Sequence, residues 1–554
     1  QAKLSKLARA AFITSLWIAI ESAKLSEFVR AMHAGPTPLP FTTFLFLSRV
    51  LAGVAGVLSL RSSRATFAAV IALGVAILHW AGANVTDSEL ELVAAHTAFV
   101  PVVLGIVHAS ALQTKPQALS AEPARERVHD AMLGLLAFGV GTLVSIFVLE
   151  RQVDSSDEWA YTYQAAAFAK GHLYGKVPPC LDALRNFWIF WKDDRMFAQY
   201  QPGWPLFMAP FIWLHAEFLA APVSFALLVV GVARLGRRAS GALGHGSRNL
   251  GGLVAGLFTI FANTLMINAG SRFLHIFVCA HWAWMLEGAC LATEEPGASG
   301  GAEKRARKGA LITGAALGAL VLTRAPEALF FESAVLLFAL VSLVRRKLPV
   351  RALPWAIIPA LVGALILLGI SKAQVGVWFK LPYQLTSDFH PWNVVKYSAP
   401  PPNMIKWALP LATGAYSFWP LAPGLGLGGL FLLLRTRERR LAFMLVIGTA
   451  LALGYYGALE IGRGSDFGYG PRYQMHLVVP MAVGSAALFA RVLARNGNAK
   501  LPRWLIATAS AIGVVQIALL TFPYNHALLV RNGAPMQAAK AAHLERAIVR
   551  LGVS

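Results

Sequence analysis

Charge is what this chain lacks. Asp, Glu, Lys and Arg supply 14% of its 554 residues and hydrophobic residues 56%. A mean hydropathy of +0.57 excludes a soluble globular protein of this length. Acid is scarcer than base, 27 Asp and Glu against 49 Lys and Arg, for a formal net charge of +22. In a soluble domain that excess would suggest nucleic acid. Here the bases sit in short loops beside apolar runs, so membrane topology and anionic lipid account for them, and no nucleic-acid partner is expected. Only three cysteines are present, Cys180, Cys279 and Cys290, without metal-ligand spacing, so neither a structural disulfide nor a zinc site is implied. The ~10-residue alternating segments of a membrane β-barrel are missing. So is an internal repeat, which counts against an inverted-repeat transporter.

What the chain does have is a succession of apolar runs, each near the ~20 residues that a spanning helix needs. They amount to about fifteen crossings and predict an all-α polytopic membrane protein. Basic clusters mark one side: Lys3 to Arg9, Arg61 to Arg64, Lys115 to Arg127, Arg234 to Arg248, Lys304 to Lys308, Arg345 to Arg351, Arg435 to Arg440 and Arg491 to Arg503. By the positive-inside rule that side is cytoplasmic. The path alternates consistently if Trp204 to Trp213 and Met404 to Phe418 are half-length helices at the outer interface rather than crossings. Four runs within residues 1–112 form an N-terminal block, 113–128 a polar cytoplasmic linker, 129–525 a core of about eleven crossings, and 526–554 an outer tail. The chain begins at Gln1 rather than Met, which leads us to expect a processed or incomplete start. The first apolar run is too long to read as a signal peptide.

Two outer segments concentrate the chemistry. The first opens with Asp154-Ser155-Ser156-Asp157-Glu158-Trp159-Ala160-Tyr161, where the run Ala131 to Leu149 leaves the bilayer. It closes with Tyr200-Gln201-Pro202-Gly203-Trp204-Pro205. Long loops in compact membrane proteins tend to carry function. Adjacent on a helix, Asp157 and Glu158 point about 100° apart, so one can act while the other supports; Tyr161 shares the face of Asp157. The structural alternative is that these acids complement a helix dipole, with Ser155 or Ser156 as the cap. The aromatic turn suits sugar stacking or an interfacial belt, and Pro205 permits a helix start. The second segment, Glu460 to Gln474, holds Arg463, Arg472 and Tyr473 among glycines. An arginine fork there suits a phosphate near the headgroup plane, a lipid phosphate being the alternative. Arg272 and Arg324 also lie at outer helix ends, where either could pair with Glu327 or a helix terminus. His275 and His281, six apart, lack helical metal-pair spacing and read as packing residues.

Taken together, these segments resemble the GT-C superfamily of membrane glycosyltransferases, nearest in pattern to bacterial aminoarabinose transferases and protein O-mannosyltransferases. The resemblance covers roughly residues 129–525 and rests on Asp157-Glu158, on Tyr200 to Pro205, on Thr323-Arg324-Ala325-Pro326-Glu327 and on Gly470-Pro471-Arg472-Tyr473. It implies transfer of a sugar from a polyprenyl-phosphate donor to an acceptor hydroxyl or similar nucleophile on the extracytoplasmic side. Asp157 would then be the general base, Glu158 would orient or bind the acceptor, and Arg472 would hold the carrier phosphate. Tyr161, Tyr200, Gln201, Arg272, Arg324, Arg463 and Tyr473 would complete the substrate site. The chain departs from these families at Tyr200-Gln201, where they often carry an acidic residue or His before paired prolines.

No cofactor is assigned; a divalent cation at Asp388 and His390 stays open, as one pair without further ligand spacing. The donor sugar, hexose or pentose, is not encoded by any motif, and the acceptor is a glycan, lipid or protein. A bacterial inner (plasma) membrane with the site facing outward suits the Ala- and Arg-rich composition. The competing readings are a transporter or flippase, which would place charges deep within helices, as at Glu287 and Glu332, and a structural subunit of a membrane assembly.

Overall fold

The structure, a computed structural model, describes residues 123–153, 155–179, 186–242, 248–294, 301–345, 347–389, 422–436, 438–458 and 472–496. The expected N-terminal block, the run Met404 to Phe418, His390, Arg463 and the outer tail lie outside these residues.

Apolar sequence makes helix almost throughout, because a chain in lipid must satisfy its backbone internally. Helix α1 (Pro123–Leu143) continues as a π turn, Val144–Val148, and α2 (Ser156–Ala169) follows across the first outer loop. After a small sheet come α3 (Gly203–Trp213), α4 (Ala220–Ala242), α5 (Arg248–Ile260), α6 (Asn263–Gly270) and α7 (His275–Ala292). Next are α8 (Ala302–Val344), α9 (Leu353–Val375), a short α10 (Thr386–Phe389), α11 (Ala422–Leu433), α12 (Arg439–Ala458) and α13 (Val478–Asn496). Four helices are long and apolar enough to cross a membrane, or five if α5 and α6, bent by 67°, form one span. The chain is therefore a membrane protein, although by this criterion its described residues hold fewer spans than the about eleven expected of the core.

Helix α8 accounts for part of that difference. Its 43 residues would measure about 64 Å if straight, twice a bilayer's apolar core. At Arg324, φ −154° and ψ 77° are not helical, and Pro326 follows. Ala306 and Ala310, near its start, cluster with Leu348 and Ala352, just beyond its end. Such clustering requires the two halves to run back to back, with Arg324 at the turn.

One apolar core joins these helices, with Trp204, Trp282, Phe225 and Leu228 fully buried in it. Small residues let backbones approach where lipid offers no hydrophobic drive. A Cβ on Gly363 of α9 would run into the backbone of Gly318 on α8, and one on Gly429 of α11 into Gly484 on α13. Charges inside the bundle are paired at two crossings. Asp130 on α1 takes both Arg237 and Arg234 of α4, the latter at 2.9 Å. Arg238 meets Glu287 of α7 at 3.3 Å. Glu332 is buried on α8. The deep charges on which a transporter reading drew thus include a structural tie at Glu287.

The all-α expectation needs one correction. Outside the bundle, β1 (Gly175–Lys176), β2 (Ile189–Lys192) and β3 (Arg195–Ala198) form an antiparallel sheet in the order β1-β3-β2. Lys192 pairs with Arg195, leaving Asp193-Asp194 as a two-residue turn in which Asp193 takes φ 54°. Asp tolerates that left-handed conformation, which matches hairpin twist. The flanking Ile-Phe-Trp and Met-Phe-Ala suit strands rather than a solvated loop. The hairpin docks on the end of α9: Lys192 Nζ donates to the Val375 carbonyl at 2.7 Å and Arg195 to that of Ala373 at 3.0 Å. Both cations thereby cap carbonyls at the negative end of the helix. Gly376, at φ 87°, supplies the left-handed residue that ends it.

The α8–α9 crossing gives a direct test. Gly363→Val should lower stability by about 1–3 kcal/mol through overpacking and reduce the thermal midpoint of the detergent-solubilised protein. Gly369→Ala, on the same helix with no atom within 4 Å of an added Cβ, should leave the midpoint unchanged or raise it.

Candidate functional site

The first turn of α2 sends its two acids in different directions. Ser155 caps the helix, its Oγ accepting from Glu158 N at 3.2 Å and donating to Glu158 Oε2 at 3.2 Å, a reciprocal cap. The other Glu158 oxygen accepts the Arg272 backbone N–H at 2.7 Å. Glu158 is fully buried and ties α2 to the turn between α6 and α7. Asp157, one residue earlier, turns instead toward Tyr200 and Arg472.

At Asp157 two donors converge from distant parts of the chain. The Tyr200 hydroxyl donates to Asp157 Oδ1. Arg472 Nη2 donates to Oδ2 at 3.3 Å, and the two side chains are only 12% and 16% exposed. In so dry a setting an ion pair is held by its hydrogen bonds as much as by its charge, and removing one partner strands the other. Tyr161, buried one turn on, lies with its ring 4.5 Å from that of Tyr200. Around the guanidinium are Phe273, its ring 4.3 Å away, and Tyr473, at 5.4 Å. Arg324 stands 5.2 Å from the same Tyr473 ring and pairs with Glu327. Two arginines from different elements thus flank one tyrosine beside a carboxylate.

The aromatic turn locks this arrangement. Gln201 Oε1 accepts the Ala325 backbone N–H at 2.8 Å, next to the break in α8. Gly203 packs so closely that a Cβ would collide with Thr323 and the backbone of Leu322. Trp204 Nε1 donates to the Arg272 carbonyl at 2.8 Å. Position 201 is therefore a backbone clamp between the first outer loop and α8.

Arg272 is spent on structure. Its guanidinium donates to the Arg151 carbonyl at 3.0 Å, to Thr162 Oγ1 at 3.3 Å and to Glu217 at 3.2 Å. Burial lowers its pKa, opposed by Glu217 and Glu158. One residue that the sequence reading set aside as packing stands in the site: His275 is buried with its ring 5.2 Å from Tyr473 and edge-on to it, and neither ring nitrogen has a hydrogen-bond partner among the described residues. Its sequence signal was proximity to Arg272 at an outer helix end. Arg463 lies outside the described residues, and Asp388 is exposed on α10. Among the described residues no group of three or more His, Cys, Asp or Glu could hold a metal.

The chain is similar to solved membrane glycosyltransferases. Against ArnT, an aminoarabinose transferase from Cupriavidus metallidurans, in the apo state, identity is 17%, with 74% of this chain and 79% of that one covered at a TM-score of 0.44. The same protein bound to undecaprenyl phosphate gives 16% identity, 76% and 80% coverage and 0.45. The Archaeoglobus fulgidus oligosaccharyltransferase, tethered to an acceptor peptide, gives 14% identity, 73% and 55% coverage and 0.38. No family model and no curated protein matches the chain. Overlaps of this size carry no argument about activity, which rests on the chain's own residues.

The site predicts a pH response. Burial first, and then the Asp157 carboxylate, raise the Tyr200 hydroxyl well above the usual phenol range, and Tyr161 likewise. Below about pH 10 the phenol is protonated whether the chain is folded or not. Above it the unfolded chain releases the proton while the folded one keeps it, so stability falls as pH rises. Thermal midpoints followed from about pH 9 to about pH 11 should decline less steeply in Tyr200→Phe than in the wild type.

Proposed function

We propose that the protein is a GT-C-type membrane glycosyltransferase that moves a sugar from a polyprenyl-phosphate carrier to an acceptor hydroxyl outside the cytoplasm. The observation that carries this reading is the little-exposed Asp157 carboxylate held between the Tyr200 hydroxyl and the Arg472 guanidinium. A hydroxyl is a weak nucleophile and gains from a positioned base, and a departing phosphate gains from fixed positive charge in low dielectric.

In this reading Asp157 takes the acceptor proton as the acceptor oxygen bonds to the anomeric carbon. The bond from that carbon to the carrier phosphate breaks, and the phosphate leaves with the electron pair. Arg472 holds that phosphate, and Arg324, across the Tyr473 ring, adds a second positive charge. Tyr200 and Tyr473, half-buried, are the sugar-facing groups, with the buried Tyr161 and His275 packed against their rings. Glu158, Gln201 and Arg272 act through position: each fixes a backbone segment that bears a reacting or binding group. Arg463 is proposed as a further phosphate contact from the Glu460 to Gln474 segment. The site faces the periplasm of a bacterial inner membrane, residues 129–525 form the catalytic core, and residues 1–112 are an added block.

The test is transfer of radiolabel from polyprenyl-phosphate sugars in a membrane lipid extract to carrier-free product. Asp157→Asn should lose about 10²–10⁴-fold in transfer, the usual scale of general-base catalysis, while still binding donor. Arg472→Ala should weaken donor binding itself. Unimpaired transfer by Asp157→Asn would remove Asp157 from the chemistry, and failure of the wild type to bind donor would turn the reading toward transport or scaffolding.

A further inference from the structure

A cavity of about 860 Å³ lies at the opposite end of the bundle from Asp157, between the ends of α7, α8 and α11 and the start of α12. It opens where the candidate span Ala302–Val344 ends and Val350–Val375 begins, at the level where a bilayer's headgroups would lie. Its polar wall carries Arg345, Lys347, Arg439 and Arg440 against two acids, Glu294 and Glu438. Glu294 already faces Arg238, at 3.6 Å. Arg440 donates to the Thr293 carbonyl at 2.8 Å; Arg345, Lys347 and Arg439 are the exposed cations of the lining, the two arginines among them offering fork geometry. The other wall is apolar: Leu337, Val341, Leu434 and Phe443 line it and are at least 40% exposed.

One detail narrows what could fill it. Glu438 is only 8% exposed, and its Oε2 is buried without any hydrogen-bond partner among the described residues. A buried carboxylate oxygen in a cationic cavity calls for an N–H donor. Two exposed arginines call for an anion, with phosphate the natural match to their fork geometry. The apolar wall at headgroup level calls for acyl chain. An aminophospholipid brings all three: an ammonium for Glu438, a phosphate for Arg345 and Arg439, and chains for the exposed leucines.

We propose that this cavity is a binding site for a phosphatidylethanolamine headgroup, separate from the Asp157 site and independent of the glycosyltransferase reading. A simple anionic phospholipid would satisfy the arginines but press its charge on Glu438. Phosphatidylcholine would present a quaternary ammonium with no proton to donate.

Native mass spectrometry of the full-length protein, exchanged into mixed micelles holding equal phosphatidylethanolamine, phosphatidylcholine and phosphatidylglycerol, reads the preference without relying on activity. The wild type should retain phosphatidylethanolamine over both others. Glu438→Leu, which removes the acceptor oxygen, should lose the preference over phosphatidylcholine, and the Arg345→Ala, Arg439→Ala double variant should lose retention of all three. Equal retention of the three lipids by the wild type, or a wild-type preference for phosphatidylglycerol, would overturn the proposal. So would a preference for phosphatidylethanolamine that survives both variants. The wild-type comparison decides alone if a variant fails to fold.

Discussion

A carboxylate with little access to water must be compensated by groups that the fold delivers to it, and at Asp157 those groups come from 43 and 315 residues away, as a phenol and a guanidinium. The rest of the outer face is organised by that requirement. Tyr200 reaches Asp157 only because the turn that carries it is fastened at Gln201 to α8, at Gly203 against Thr323, and at Trp204 to the Arg272 carbonyl. Arg472 reaches it from a 3₁₀ turn, Arg472–Leu477, leading into α13. Glu158 contributes from the other side by holding the Arg272 backbone and closing the cap of α2. A buried ion pair is costly to assemble and costlier to break, so each clamp keeps a partner from withdrawing.

The same economy of polar groups explains the hairpin. Outside the bundle the chain forms a small sheet that buries Phe190 and Phe197 against Val375 and Leu385. Lys192 and Arg195 then do double duty, pairing in register with each other and capping α9. Gln374, near the end of α9, and Gln164 of α2 both donate to the Leu173 carbonyl, at 2.9 and 3.0 Å. Sheet, α2 and α9 are thus joined by polar contacts around the first outer loop, which carries both ends of the Asp157 site.

Much of this was legible in the sequence. The divergence of Asp157 and Glu158 followed from helical geometry, a cap at Ser155 or Ser156 from residue type, and the half-length helix over Trp204 to Trp213 from the alternation of basic loops. Placing Arg324 at an outer helix end anticipated the break in α8 at that residue. What the sequence concealed depends on tertiary meeting points. Arg272 reads as a substrate contact or a partner of Glu327, yet its donors are taken by Arg151, Thr162 and Glu217. His275 reads as packing because its neighbours along the helix are apolar, yet the fold sets it against Tyr473, 198 positions away by their numbers. The strands escaped because the segment between Asp157 and Tyr200 was read as one outer loop, without attention to the Asp193-Asp194 turn that pairs its short strands.

The central claim is that Asp157 and Arg472 act as one unit, the arginine holding the carrier phosphate and the carboxylate taking the acceptor proton. A high-resolution structure of the protein with a bound polyprenyl phosphate tests it most directly. The account predicts phosphate oxygens within hydrogen-bond distance of Arg472, with Asp157 still joined to Tyr200. A phosphate bound elsewhere, out of reach of Arg472, would contradict it.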